Sequence, residues 1–222
     1  MKIMESWRFA IKCMKLSYNL KSNLIIMGFL GVLGLVYEIF NITDGMGAYI
    51  LLVVAIYPAQ LIVSICGSQL VQSSPCKKTL MTSLPTVITF CSGAVMYLTI
   101  VCIEMIRVHI TPEAAGHSAR LVLICGLMQM MLHIYIGIAY KYFVLPMVLM
   151  CVSMVCFYNS SGIFGEGTVL SQYFLKIPMS AAIAIGLCLA LLGALLQYVV
   201  SLLVYKKPIS RRAIYGILRQ QA

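Results

Sequence analysis

Apolar residues fall in long, nearly unbroken runs along this chain, without the strict alternation of a half-buried strand. Cutting wherever charged or turn residues interrupt them leaves six segments: Asn23 to Phe40, Ala48 to Gly67, Thr86 to Met105, Leu121 to Tyr140, Tyr142 to Tyr158, and Ala181 to Tyr205. Each is close to the roughly 20 apolar residues that a helix needs to cross a ~30 Å hydrocarbon layer. From Leu121 to Tyr158 only Lys141 interrupts the pattern. One helix of that length would measure about 57 Å at 1.5 Å per residue, so the chain is expected to fold back at Lys141. Tyr140 and Tyr142 suit the interface there, and Pro146 can bend the returning helix. The predicted fold is all-α, a polytopic membrane protein with six transmembrane helices.

Composition agrees with the pattern. Of 222 residues, 62% are hydrophobic and 10% charged, against about 45–50% and 25% in ordinary soluble domains, which excludes a water-soluble domain. The formal charge of +10 points to nucleic acid only until its placement is considered. With six spans both termini share one side. That side receives Lys2, Arg8, Lys12, Lys15, Lys21, Lys77, Lys78, Lys141, Lys206, Lys207, Arg211, Arg212 and Arg219, which is 13 of the 16 basic residues, leaving Arg107, Arg120 and Lys176 opposite. The positive-inside rule makes the terminal side cytoplasmic. Glu38, Asp44, Glu104, Glu113 and Glu166 lie at the outer ends or beyond them, and only Glu5 lies inside. The charge therefore reports orientation and contact with anionic lipid, and no nucleic-acid partner is expected.

The first apolar run follows a basic stretch and is not closed by a small-x-small cleavage site, so it reads as a retained signal anchor. Three regions result: residues 1–22 as an N-terminal amphipathic helix, 23–205 as the transmembrane domain, and 206–222 as a basic cytoplasmic tail. In residues 4 to 20, Met4, Trp7, Ile11, Met14 and Tyr18 form one stripe, while Glu5, Arg8, Lys12, Lys15 and Asn19 form the other. A basic face opposite a Trp-bearing apolar face lies flat at the headgroup boundary. This helix serves as a surface anchor or as an elbow that also meets a cytoplasmic partner.

Between the second and third spans, Gln72 to Pro85 carries helix punctuation. Ser74 is the candidate N-cap, Pro75 fits the first helical position, and Pro85 discourages continuation past Ser83. A short basic cytoplasmic helix is expected, longer than a simple connection requires. On the other side, residues 159 to 180 are Gly-rich and then amphipathic, with Val169, Leu170, Tyr173, Phe174 and Ile177 available to dip into the outer leaflet. The polar stretch from His109 to Ala119 contains Thr-Pro-Glu, a turn or helix start.

Candidate chemistry is sparse. The nine cysteines are an odd number, lie mostly inside apolar runs and form no Cys-x-x-Cys or other zinc spacing. Neither a disulfide scaffold nor a metal is expected. Ionisable residues within a membrane are functional candidates because burying them is costly, which singles out Glu38, Glu104 and His133. Glu104 and Arg107, three apart, are expected to pair on one helix face. His133, with no acidic residue in its own span, is expected to hydrogen-bond a neighbouring helix. Gln60, Gln69, Gln129 and Gln197 can join helices or line a polar path. The spacings Gly28, Gly31, Gly34 and Ala182, Gly186, Ala190 allow close helix approach. No Gly precedes a Lys, so the Walker A loop is absent. With no catalytic constellation, no enzyme activity is expected of the chain.

The order of parts resembles the ABC-2 type permease subunits of bacterial ATP-binding cassette exporters: an amphipathic N-terminal helix, six spans, a capped helix between spans two and three, and an amphipathic external segment before span six. The stretch Ser73 to Pro85 looks like the coupling helix of those permeases. The resemblance implies a half-transporter in the bacterial cytoplasmic membrane, with a second permease chain, identical or related, and separate ATPase subunits that carry ATP and magnesium. No cofactor is implied on this chain. It also implies that Ser74, Pro75, Lys77, Lys78, Thr79, Leu80 and Met81 couple to the ATPase. The elbow would involve Trp7, Arg8, Ile11, Lys12, Met14 and Lys15, with Glu38, Glu104 and His133 in the pathway or its gate. The implied cargo is an amphipathic or antimicrobial peptide or a lipid-like compound. The alternative is the substrate-binding membrane component of an energy-coupling-factor vitamin importer, similar in length and span number. Those proteins usually show an early Ala-x-x-x-Ala pattern, which the first span lacks.

Overall fold

The computed structural model describes residues 20–40, 45–66, 69–139 and 176–206, with isolated positions 11, 12, 15 and 148. These residues are helical apart from short turns, and no strand occurs among them. In chain order the helices are α1 (Leu20–Phe40), α2 (Met46–Val54), α3 (Tyr57–Cys66), α4 (Gln69–Ser73), α5 (Lys77–Met81), α6 (Ser83–Ile110), α7 (Ala115–Ala139) and α8 (Met179–Val204). A 3₁₀ turn, Pro112–Ala114, leads into α7, so the Thr-Pro-Glu sequence is a helix start.

Four stretches are long and apolar enough to cross a membrane: Leu20–Phe40, Lys77–Ile110, Pro112–Ala139 and Met179–Val204. They coincide with the first, third, fourth and sixth expected spans. The second, expected as one helix from Ala48 to Gly67, is instead α2 and α3, separated by a turn at Ala55 and Ile56. Pro58 accounts for the break, because proline has no N–H to donate to the carbonyl four residues back and its ring crowds that carbonyl. Ser92 of α6 donates to the Ala55 carbonyl at 2.7 Å, satisfying backbone at the interruption. The fifth segment, Tyr142 to Tyr158, lies outside the described residues, as do most of residues 4 to 20, most of the segment 159 to 180, and the tail beyond Lys206.

The outward faces are those of a protein solvated by lipid. Ile25, Phe29, Val32 and Phe40 on α1, Ile106 and Ile110 on α6, and Leu195 and Leu203 on α8 are all exposed. A soluble monomer does not leave an apolar surface of this extent in water. Within a bilayer such faces cost nothing, and helix association rests on close packing and interhelical hydrogen bonds.

Packing density is greatest between α7 and α8. A Cβ added at Gly126 would stand 2.5 Å from the Gly186 Cα, and one added at Gly186 would collide with the Tyr97 hydroxyl of α6. Ala182 and Ala190 are buried on the same α8 stripe, so the small-residue spacing there does what it was expected to do. On α1, among the described residues, Gly34 meets Ile50 and Leu51 of α2, while no described atom lies within 4 Å of a Cβ at Gly28 or Gly31. The α1–α2 hairpin closes lower down, where a Cβ at Gly47 would strike the Glu38 backbone.

Gly126→Val is expected to destabilise the protein by about 1–3 kcal/mol through overpacking. Gly28→Ala should leave stability unchanged or raise it by up to ~1 kcal/mol through helix propensity. Thermal unfolding in detergent, followed by circular dichroism, compares the two.

Candidate functional site

The polar residues buried in the bundle gather in two places. At the junction of α1, α2 and α6, Glu38 and Glu104 are 1% and 0% exposed. Glu38 sits in the last turn of α1. Its Oε2 accepts a hydrogen bond of 2.5 Å from the Ala48 backbone N–H in the first turn of α2, where helix amides lack intrahelical partners and the helix dipole favours an anion. Arg107, three residues beyond Glu104 on α6, faces both carboxylates. It donates to Glu104 Oε1 and to the backbone carbonyl of Glu38, and its Nη1 lies 3.9 Å from Glu38 Oε1. One guanidinium thus caps the end of α1 while Glu38 caps the start of α2. The expected Glu104–Arg107 pair is present, and Glu38 makes it a triad.

The second group lies deeper, among α6, α7 and α8. His133 Nδ1 is 2.6 Å from Gln197 Oε1. An amide oxygen only accepts, so the imidazole donates through Nδ1. Gln197 Nε2 donates to Thr89 Oγ1 at 3.4 Å, and Thr89 in turn donates to the Pro85 carbonyl at 2.7 Å. The result is a directional chain from α7 through α8 to α6, and His133 is held to a neighbouring helix as expected. Phe90 packs beside the imidazole with ring centroids 6.3 Å apart. Gln129 is also buried, its amide against Gly93 of α6. Among the described residues, neither amide atom of Gln129 has a hydrogen-bond partner, nor does the Tyr97 hydroxyl or His133 Nε2.

The third candidate region is the connection between α3 and α6. The expected helix from Ser74 is only α5, Lys77–Met81. Ser74 caps the preceding turn instead, its Oγ accepting from the Cys76 N–H at 3.1 Å. Pro85 falls in the first turn of α6, where its missing N–H costs no intrahelical bond, so it opens the next helix and the stop falls at Thr82. Pro75, Cys76 and Lys78 are exposed, Ser74, Lys77 and Thr79 partly so. Leu80 and Met81 are buried against Ile62, Cys66, Leu84 and Ile88, with Val204 and Tyr205 of the α8 end packed alongside. Those two residues are thus buried within the bundle. Of the elbow residues, Ile11, Lys12 and Lys15 are helical and exposed; Trp7, Arg8 and Met14 lie outside the described residues.

Thr89 and Tyr97 were not singled out from the sequence, although Thr89, Gly93, Tyr97 and Glu104 recur on one face of a single helix. That spacing was the available signal. Comparison with known protein families, with curated proteins and with solved structures gives no match for this chain.

Removing Arg107 leaves two buried carboxylates without a counter-ion. Arg107→Gln is expected to cost about 3–5 kcal/mol. Gln197→Leu, which removes a neutral interhelical bond, should cost only about 1 kcal/mol. Equilibrium unfolding of the two variants in mixed micelles tests that ranking.

Proposed function

We propose that this chain is the membrane-spanning permease subunit of an ATP-driven exporter of the ABC-2 type, working with a second permease chain and a separate ATPase. The supporting observation is the way α5 is mounted. Lys78 on α5 is exposed, with Pro75 and Cys76 of the preceding turn, and the buried side of α5 locks Leu80 and Met81 between α3, α6 and the end of α8. A load on the exposed side therefore reaches three helices through a packed core of low compressibility. A plain loop would absorb it.

On this reading the positive-inside assignment puts α5 in the cytoplasm of a bacterium, with both chain termini. Lys77 and Lys78 meet acidic or polar groups on the ATPase. Closure of the ATPase on ATP and magnesium, both held by that partner, rocks the spans, and the N-terminal elbow follows. The path for an amphipathic peptide or lipid-like cargo forms between two permease chains. Glu38, Glu104 and His133 are sealed among helices, which favours a role in holding or gating the bundle over lining the path. The register of α7 on α8 also supports a six-span reading. Gly126 meets Gly186 and Gly137 meets Gln197, so the two helices run parallel, as the six-span reading requires.

The double variant Lys77→Glu, Lys78→Glu is expected to insert normally and to lose transport-linked stimulation of the partner ATPase by at least about tenfold, the equivalent of ~1.4 kcal/mol of coupling. ATPase assays in proteoliposomes measure this, and unchanged stimulation would count against the assignment. A membrane-impermeant maleimide should label Cys76 in inside-out vesicles and not in intact cells.

A further inference from the structure

We propose that Glu38 and Glu104 hold one exchangeable proton between them, which makes the junction of α1, α2 and α6 a proton-binding site. The inference is independent of any ATPase partner.

Charge balance is the first ground. Two carboxylates share one guanidinium in a site where Glu38 and Glu104 are 1% and 0% exposed. An unneutralised charge at that depth is expensive, and buried acids respond by taking up a proton. The second ground is the bonding pattern. Glu38 Oε2 is taken by the Ala48 N–H and Glu104 Oε1 by Arg107. Among the described residues, Glu38 Oε1 and Glu104 Oε2 have no donor. Both carboxyl groups face one guanidinium nitrogen: Arg107 Nη1 bonds Glu104 Oε1 and lies 3.9 Å from Glu38 Oε1. A carboxylate cannot donate, so only a proton on one of the two groups lets them bond to each other.

Among the described residues, other ionisable groups nearby do not supply the missing positive charge. Besides Arg107, α7 brings the buried thiol of Cys125 towards the pair, and α2 carries only Tyr49. Farther along α7, Arg120 and His117 are bonded to each other at 3.1 Å. A metal cation is a poor fit. Hard cations take six or more oxygen ligands, whereas here two oxygens are free and a guanidinium stands beside them.

Position makes the proton exchangeable. Glu38 is two residues from the end of α1, and the Arg107 side chain is 10% exposed, so the route to solvent is short. On release, the O–H bond of one carboxyl breaks and the proton passes to water. Two facing carboxylates then share one Arg107, and their repulsion loosens the end of α1, and the start of α2 bonded to it, from α6. Protonation restores the joint.

Infrared difference spectroscopy of the purified full-length protein in nanodiscs tests this, against a background of only six acidic residues in the chain. The expected result is a protonated-carboxyl C=O band, set apart by its apolar surroundings, that disappears in one step as pH is raised. The band should be absent from both Glu38→Gln and Glu104→Gln, and hydrogen exchange around Ala48 in the unaltered protein should quicken over the same pH step. A band that never titrates, a band that survives in both variants, or a midpoint that moves when choline is replaced by sodium would each overturn the proposal. The titration of the unaltered protein stands even if a variant fails to fold.

Discussion

A guanidinium facing two buried carboxylates fastens the end of α1 to α6. Arg107 binds the end of α1 through a backbone carbonyl and Glu104 on its own helix, while Glu38 reaches across to the start of α2. α2 is embedded in the bundle, its Ala48, Leu51 and Leu52 belonging to the main core, whereas α1 is attached chiefly at its end. Most of α1 faces outward, with Gly34 and Glu38 its only buried residues. Lipid offers no hydrophobic drive to press such a helix inward, so polar bonds at one end do the fastening, and the rest of α1 is left to contact lipid.

The three-helix core of α6, α7 and α8 is built on a different principle. Small residues let α7 and α8 approach until backbone meets backbone at Gly126 and Gly186, and Tyr97 closes the third side. Within that tight packing, the chain from His133 through Gln197 to Thr89 binds one residue from each helix. Such a bond lacks competition from water and fixes rotation as well as distance. The core is therefore tightly packed, and α2 joins it through Ala48, Leu51 and Leu52, while the fastening of α1 is local.

Those two properties suit the permease function proposed above. The short connection at α5 is packed against α3, α6 and the end of α8 at one end of the bundle, and the charged joint ties the end of α1 to α6. On the proposed reading, force arriving at the first would be carried through packed side chains, and a change of charge state at the second would alter how firmly α1 follows. Both would act on the same helix, α6, from opposite ends.

Hydropathy and charge counting alone were sufficient to show a helical membrane protein and to locate four of its spans, because a segment in lipid must satisfy its own backbone and be apolar all round. The Glu104–Arg107 pair was legible for the same local reason, being one turn apart on one helix, and so was the need of His133 for a partner on another helix. Tertiary structure decided the rest. Glu38 lies 66 residues before Glu104 in sequence, and nothing local brings it to Arg107. The break at Pro58 and the burial of Leu80 and Met81 depend on which neighbour each face meets. A stripe of small residues or a lone acid states that a close contact is affordable, and only the packed helices determine with whom it is made.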